Sequence, residues 1–361
     1  MRFLFCFAVV ATVVSLPVHA ASWPPLKPPD PLKVDWVLKQ TLIRYPEVHA
    51  HHRRYLAALE RAVAAERNGR ATAVDQGDTE LARLRAVEHH LELEWQARNA
   101  YYDYWLAARA ADIVGERKRL WEAYIPAGKA RMHKGVDEPR DFALEGARLY
   151  TALLAHEQER AQAALRLNVL LDRSLDETLT LPEPGPRSAL PPDRQALVEQ
   201  ALKDGIGMRL AHAEVERANA LVEALRAGKR KDETLEAALH ELAGVQDRRR
   251  AVGAQVMRDV MAAHDLARAR AEAMTLYERD VVPRLDQIVK TTVANYQTGR
   301  VDVARLLDAH DARFNAELES VKLRADYEKA LSDLARVLGR LSPEQEQKLA
   351  RRPLNIGGSA K

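Results

Sequence analysis

The chain has 361 residues, of which 47% are hydrophobic and 30% are charged, and it contains 16 glycines. A composition rich in alanine, leucine, arginine and glutamate is typical of long helices and coiled coils, so we expect few strands. Its 55 basic and 52 acidic side chains give a formal net charge of +3. This balanced mixture argues against nucleic-acid binding, because that function needs a concentrated basic face.

The first twenty residues have the features of a secretory signal peptide. Arg2 precedes an apolar run over residues 3–16, a proline follows, and Ala20 supplies the small residue that a signal peptidase needs. We therefore predict that residues 1–20 are removed. The single cysteine, Cys6, lies within the apolar run and would be removed with it. No later stretch approaches about 18 apolar residues without charge, so the sequence predicts no independent membrane span.

The start of the mature chain has the pattern of two long helices. Residues 34–67 predict a helix that is broken or bent at Pro46, because the residue before a proline avoids helical geometry. A second helix is predicted from near Thr79, with apolar residues at spacings of three, four and seven, as in a coiled coil. Its aromatic residues could line a ligand groove or an oligomer seam, but we favour ordinary core for Trp95, Tyr101, Tyr102, Tyr104 and Trp105.

One arrangement of helices occurs twice along the chain. Residues 120–149 and 276–314 each predict an apolar helix, an aliphatic residue followed by proline, a short helix ending at Gly135 or Gly299, and a new amphipathic helix. We interpret this pattern as a tandem duplication. The predicted parts are a first helical-hairpin repeat over 21–180, a proline-rich linker over 181–193, a second repeat over 194–341 and a tail over 342–361.

Four segments in order carry a resemblance to a known family. They are VDWVLKQTLIRYPEV, VVPRLDQIVKTTVANYQTG, LLDAHDARFNAELE and YEKALSDLARVLG. Together they resemble the TolC-like outer-membrane efflux proteins, including the heavy-metal efflux branch. In that family three copies form a periplasmic tunnel of twelve packed helices, and glycine-containing turns meet a membrane-fusion adaptor. The resemblance therefore implies an all-α fold of long antiparallel hairpins, a homotrimer, and an adaptor that connects it to an inner-membrane pump.

The connections between the helices differ from the family pattern. Family members insert two transmembrane strands into each repeat, which needs on the order of 25 residues. Here the corresponding segments, 68–78 and 227–231, offer about eleven and about five residues. We therefore expect a TolC-like helical tunnel plan without the transmembrane β-barrel. The expected location is the periplasm, at most peripheral to the outer membrane.

The resemblance also implies where partners bind. Gly135 and Gly299 would reverse the two hairpins at the end of the tunnel, and Arg300, Asp302 and Arg305 would be presented to the adaptor. Arg305 stands where many family members have an acidic residue. These five positions are the predicted partner-binding site.

The chain offers little else in the way of site chemistry. The most metal-like group of side chains consists of His49, His51, His52, His89 and His90. Within it, His49 and His52 are one helical turn apart and are weak candidates for a metal site, but we favour a solvated helix face where imidazoles lie among arginines. No cofactor is expected. The sequence contains no nucleophile elbow, phosphate loop or zinc-protease helix, so we predict that the protein is not an enzyme.

The sequence thus favours an oligomeric periplasmic helical conduit or docking element of a tripartite efflux or export system. Two alternatives stay open at this point. One is a soluble periplasmic scaffold or metal-handling accessory, and the other is a complete outer-membrane efflux channel.

Overall fold

Long helices dominate the described chain. The computed structural model describes residues 26–133, 142–228 and 233–339. In chain order the helices are α1 (Val34–Arg44), α2 (Pro46–Arg67), α3 (Ala73–His133), α4 (Phe142–Leu170), α5 (Arg194–Asp204), α6 (Ile206–Ala227), α7 (Glu233–Leu276), a π-helical turn (Tyr277–Val281), α8 (Val282–Gln297) and α9 (Val303–Leu338). Within these ranges no strand forms, and Leu32 and Pro182 make only an isolated bridge. The all-α prediction is confirmed, while the repeat and linker boundaries stay predictions.

Two long hairpins lie side by side. In the first hairpin α3 packs against α4, and in the second α9 packs against α7 and α8. The hairpins meet where α3 packs against α9, and α6 packs on both α3 and α7. As a result, α4 lies at one edge of the row of helices, and α8 lies at the other edge together with the adjoining part of α7.

A ladder of polar contacts sets the antiparallel register between α3 and α9. Its pairs are Arg117 Nε–Asp311 Oδ1 at 2.8 Å, Arg109 Nη2–Glu317 Oε1 at 3.4 Å, Trp95 Nε1–Asp333 Oδ1 at 2.6 Å, and a close contact between Lys329 and Asp103. From one pair to the next, the residue number decreases in α3 and increases in α9, so the two helices run antiparallel. Because the ion pairs are partly exposed, each contributes little to stability, and their main effect is to specify the register.

The aromatic group of α3 lies mainly in the core. Tyr101, Tyr102, Tyr104 and Trp105 are each at most 4% exposed. Tyr102 meets Tyr101 and Trp105 edge-on, with ring centroids 5.5 and 6.5 Å apart. Trp95 is partly exposed, because it belongs to the ladder between α3 and α9. The core interpretation is therefore confirmed for all of these residues except Trp95.

Tyr101 ties the segment before α1 to the segment after α4. Its hydroxyl contacts the carbonyl oxygens of Leu32, at 2.9 Å, and of Glu183. Leu32 also donates its N–H to the Leu181 carbonyl and accepts the N–H of Glu183. Burial raises the pKa of the Tyr101 phenol, so its hydroxyl remains protonated and able to donate.

The start of α3 corrects one prediction. The helix begins at Ala73 rather than near Thr79. Thr72 and Asp75 form a capping box, in which the Asp75 N–H donates to Thr72 Oγ1 at 3.2 Å and the Thr72 N–H donates to Asp75 Oδ2 at 2.9 Å. Gly77 lies within this helix and not in a loop. A glycine is needed there because α6 approaches so closely that an added Cβ would lie 2.9 Å from Arg217 Cβ.

We expect Tyr101→Phe to lower the free energy of unfolding by about 1 kcal/mol, since it removes a buried hydroxyl that contacts the Leu32 and Glu183 carbonyls. Tyr150 on α4 is exposed, so Tyr150→Phe is a matched control that should change stability by less than about 0.5 kcal/mol. Chemical denaturation followed by circular dichroism measures both variants. Equal unfolding midpoints would show that the Tyr101 hydroxyl does not join these segments.

Candidate functional site

The hairpin between α8 and α9 ends in a tightly defined turn. Beyond α8, the Gly299 N–H donates to the Tyr296 carbonyl at 3.0 Å, and the Arg300 N–H donates to the Asn295 carbonyl at 2.9 Å. This pair of bonds is the Schellman arrangement, which needs a left-handed residue just after the helix. Gly299 has φ of +75° and supplies this left-handed residue, so it reverses the hairpin as the sequence predicted. Gly135, which was predicted to reverse the first hairpin, lies outside the described residues.

Asp302 begins α9. Its carboxylate accepts the Arg305 N–H at 2.8 Å, and its backbone is extended, as expected for an N-cap. The side chains of Arg300 and Arg305 are exposed. In the part of the chain that the structure describes, neither of these arginines forms an ion pair within 4.0 Å. The described tip therefore presents two positive charges on a turn whose backbone is held at both helix ends.

A small apolar core lies next to this tip, where α3, α4 and α9 meet. Trp121, Phe142, Leu149, Val303 and Leu307 pack together there, and each is at most 5% exposed. Gly128 of α3 lets the helices approach each other, since an added Cβ would lie 2.9 Å from Phe142 Cζ and 3.0 Å from Val303 Cγ1. Gly128 could not be recognised from the sequence, because a glycine inside a helix indicates close packing only when the facing helix is known.

The two histidines proposed as weak metal candidates are buried, so the expectation that they lie on a solvated helix face is wrong. His49 Nε2 lies 2.8 Å from the Ile43 carbonyl oxygen, so the imidazole is bonded to the end of α1. His52 is 7% exposed. Among the described residues, no group of three or more histidine, cysteine, aspartate or glutamate side chains is placed to hold a metal ion.

A different pair of histidines comes together between α2 and α3. The rings of His51 and His89 stack with centroids 4.0 Å apart, and His89 Nε2 lies 3.7 Å from Glu47 Oε2. Burial lowers the pKa of His89, and the nearby His51 lowers it further. Burial also lowers the pKa of His90 to about 4. His89 and His90 are therefore largely neutral packing residues at neutral pH.

The outer face of α4 carries an exposed, uncharged stripe. We call it the α4 stripe, and its members alternate at spacings of three and four: Leu144, Ala147, Thr151, Leu154, Gln158, Ala161 and Leu165. Its three leucines are 49%, 47% and 42% exposed, in chain order. The opposite face of α4 is buried, through Phe142, Leu149, Ala163 and Leu167. Alternating spacings of three and four are those of a coiled-coil seam.

The other edge of the protein has a shorter stripe of the same kind. We call it the α7 stripe, and it consists of Ala262, Leu266, Ala269 and Leu276, with the two leucines about half exposed. Val260, Ala267 and Met274 of the same helix are fully buried. None of the described helices is both long enough and apolar enough to cross a membrane. The stripes are thus faces of amphipathic helices.

Solved structures of outer-membrane proteins share this fold. A membrane protein from Pseudomonas aeruginosa superposes with a TM-score of 0.71 over 85% of this chain and 90% of its own, at 14% identity. CusC, studied for its folding and transmembrane channel formation, gives 0.71 over 88% of this chain and 99% of its own, at 13% identity. The open state of the Neisseria gonorrhoeae outer membrane channel MtrE gives 0.68 over 85% and 88%, at 15% identity.

These structures belong to TolC-family channels, so the TolC-like helical fold expected from the sequence is confirmed. The sequence itself matches no protein-family model, and no curated protein matches it significantly. At identities of 13–15% the likeness is one of fold.

We expect Gly299→Ala to destabilise the protein by about 1 kcal/mol, because an alanine must then adopt a left-handed backbone. Gly244, inside α7, provides a matched control, since an added Cβ meets nothing within 4 Å at either position. Gly244→Ala should instead stabilise by about 0.5–1 kcal/mol through helix propensity. Denaturation midpoints that move in the same direction for both variants would contradict the turn geometry.

Proposed function

We propose that this chain is a component of a tripartite efflux or export system, acting as an oligomeric helical conduit or docking element in the periplasm, peripheral to the outer membrane. The observation that carries the proposal is the α4 stripe on an edge helix of a TolC-like fold. The fold shared with outer-membrane channels supports a transport role. The stripes support side-by-side association of several copies.

The two stripes suit association of one copy with the next. Both lie on helices at the edges of the row, and both keep leucines in water at positions where a coiled coil would bury them. Pairing the α4 stripe of one copy with the α7 stripe of its neighbour uses two different surfaces. Such head-to-tail contacts close into a ring when the rotation between copies allows it. The family resemblance points to three copies.

The tip between α8 and α9 is the proposed docking site for a membrane-fusion adaptor, and through it for an inner-membrane pump. Arg300 and Arg305 are exposed at the end of a long rigid hairpin, and Asp302 holds the backbone between them. Charged groups so placed set the rate and specificity of association more than its total strength. An adaptor surface that meets this tip should carry acidic side chains. Gly135 is proposed to turn the first hairpin beside it.

Replacing two leucines of the α4 stripe tests the assembly. Leu154→Glu with Leu165→Glu should convert a trimer to monomers, because the charges would have to be buried at the seam. Helix content should not change, since both side chains are exposed in one copy. Sedimentation velocity at micromolar concentration measures the assembly.

Leu175→Glu with Leu181→Glu is the matched control, because these leucines are at least as exposed as Leu154 and Leu165 but lie outside both stripes. This control should assemble as the parent does. A parent chain that sediments as a monomer would favour the scaffold alternative, and a stripe variant that stays trimeric would exclude the α4 stripe as the seam.

Charge reversal tests the docking site. Arg300→Glu with Arg305→Glu should abolish capture of the cognate adaptor at physiological salt and leave assembly intact. Lys39→Glu with Lys322→Glu makes the same change in charge at exposed lysines of α1 and α9 away from the tip, and it should capture the adaptor normally. Chemical cross-linking with co-expressed adaptor is the measurement. Full capture by the tip variant, or none by the parent chain, would refute the docking role.

A further inference from the structure

A groove between α5, α6 and α7 is used by neither the tip nor the stripes. The end of α5 and the first turns of α6 form one wall, and the middle of α7 forms the other. Its volume is about 560 Å³. Cavities of about 300–1,000 Å³ are the usual size for binding small molecules. The groove is therefore large enough for a ligand of its own.

The floor of the groove is apolar. Gly253 of α7 leaves it open, and a Cβ added there would first meet the Met208 sulfur at 3.7 Å and a Leu202 methyl carbon at 3.9 Å. Met257, one turn further along α7, also lines the groove and is 43% exposed. Methionine side chains are flexible and polarisable, so they pack well against alkyl groups of varied shape. This floor offers a contact for an alkyl chain.

The rim of the groove is basic, and none of the lining residues is acidic. The basic lining residues are Lys203, Arg209, His212, Arg249 and Arg250. Arg250 and His212 have acidic partners one turn away on their own helices. Within the described ranges, neither Lys203 nor Arg249 forms an ion pair within 4.0 Å. These two cations favour an anionic group above the apolar floor.

We propose that the groove binds a single-chain anionic amphiphile, such as a fatty-acid carboxylate. Its head group lies between Lys203 and Arg249, and its alkyl chain lies along Leu202, Met208 and Met257. An inorganic anion would leave the apolar floor in water, and an uncharged alkyl chain would leave the cations without a partner. The groove is complete within one copy of the chain, so the proposal does not depend on assembly or on adaptor docking.

Isothermal titration calorimetry with dodecanoate, below its critical micelle concentration, tests this proposal on the full-length chain. We expect saturable binding to a single site per chain. Dodecyltrimethylammonium has the same alkyl chain with the opposite charge, and inorganic phosphate is an anion without the chain; each should bind at least about tenfold more weakly. Equal affinities for the two amphiphiles, or no saturable binding of dodecanoate, would overturn the proposal.

Charge variants locate the head group. Lys203→Glu with Arg249→Glu should weaken dodecanoate binding by about tenfold or more, whereas Lys203→Arg with Arg249→Lys should retain it. Lys39→Glu with Lys322→Glu, at exposed lysines of α1 and α9, makes the same change in net charge and should bind as the parent chain does. Unchanged affinity in the double reversal would place the anion elsewhere and overturn the proposal.

A filling variant locates the alkyl chain. Gly253→Leu places a side chain on the floor, and leucine is favoured over glycine within a helix, so the fold should survive. We expect at least about tenfold weaker binding of dodecanoate with unchanged helix content. Unchanged binding would overturn the proposal. The proposal would also be overturned if the parent chain bound no amphiphile and Gly253→Leu abolished self-association. That result would show that a second copy of the chain occupies the groove.

Discussion

The antiparallel contact between α3 and α9 is the constraint on which the rest of the structure depends. α3 has 61 residues, so it is about 90 Å long, and a helix of that length is held in water mainly by packing along its side. Apolar contacts supply the stability, while the polar pairs from Arg117–Asp311 to Trp95–Asp333 select one register. A slip of one helical turn would separate all of these pairs together. The fixed register brings Val303 and Phe142 to the same end of α3, beside Gly128.

Placing α3 and α9 at the centre determines which helices lie at the edges. α4 has α3 as its principal neighbour, and α8 has α9, so each edge helix has one covered face. An edge helix of an isolated protein would be expected to turn charged residues to water on its other face. The α4 stripe does the opposite over six turns, since it has no charged member between Leu144 and Leu165. A face of this kind fits the proposed association, in which a helix of a neighbouring copy would pack on it.

The sequence predicts the local features and misses those that depend on facing helices. The break before Pro46 and the left-handed turn at Gly299 each follow from one residue's backbone preferences, so both could be read directly. The capping box at Thr72 is equally local, but the helix was predicted to begin only after Gly77, because glycine is unfavourable inside a helix. The α4 stripe is visible as a spacing pattern. The buried face of α4 forms a similar pattern, however, and only the position of α3 distinguishes the two faces.

The groove and the contact between His51 and His89 could not be predicted from the sequence for a related reason. His51 and His89 meet because α2 packs on α3, and a spacing rule along one helix selects His49 and His52 instead. The groove combines residues from three helices, and its open floor is the absence of a side chain at Gly253. Neither feature has a signature within a single segment.

The structure also changes the role of one residue in the proposed docking at the tip. The sequence placed Arg300, Asp302 and Arg305 together as partner contacts, but the Asp302 carboxylate accepts the Arg305 N–H as the cap of α9. Asp302 therefore acts first on the backbone, and the outward charge of the described tip comes from the two arginines. Because the Schellman turn and the N-cap hold the backbone on both sides, a partner need not order the turn when it binds. In the proposed docking, the remaining cost of association would be mainly the ordering of two arginine side chains, which fits recognition by charge at a preformed end.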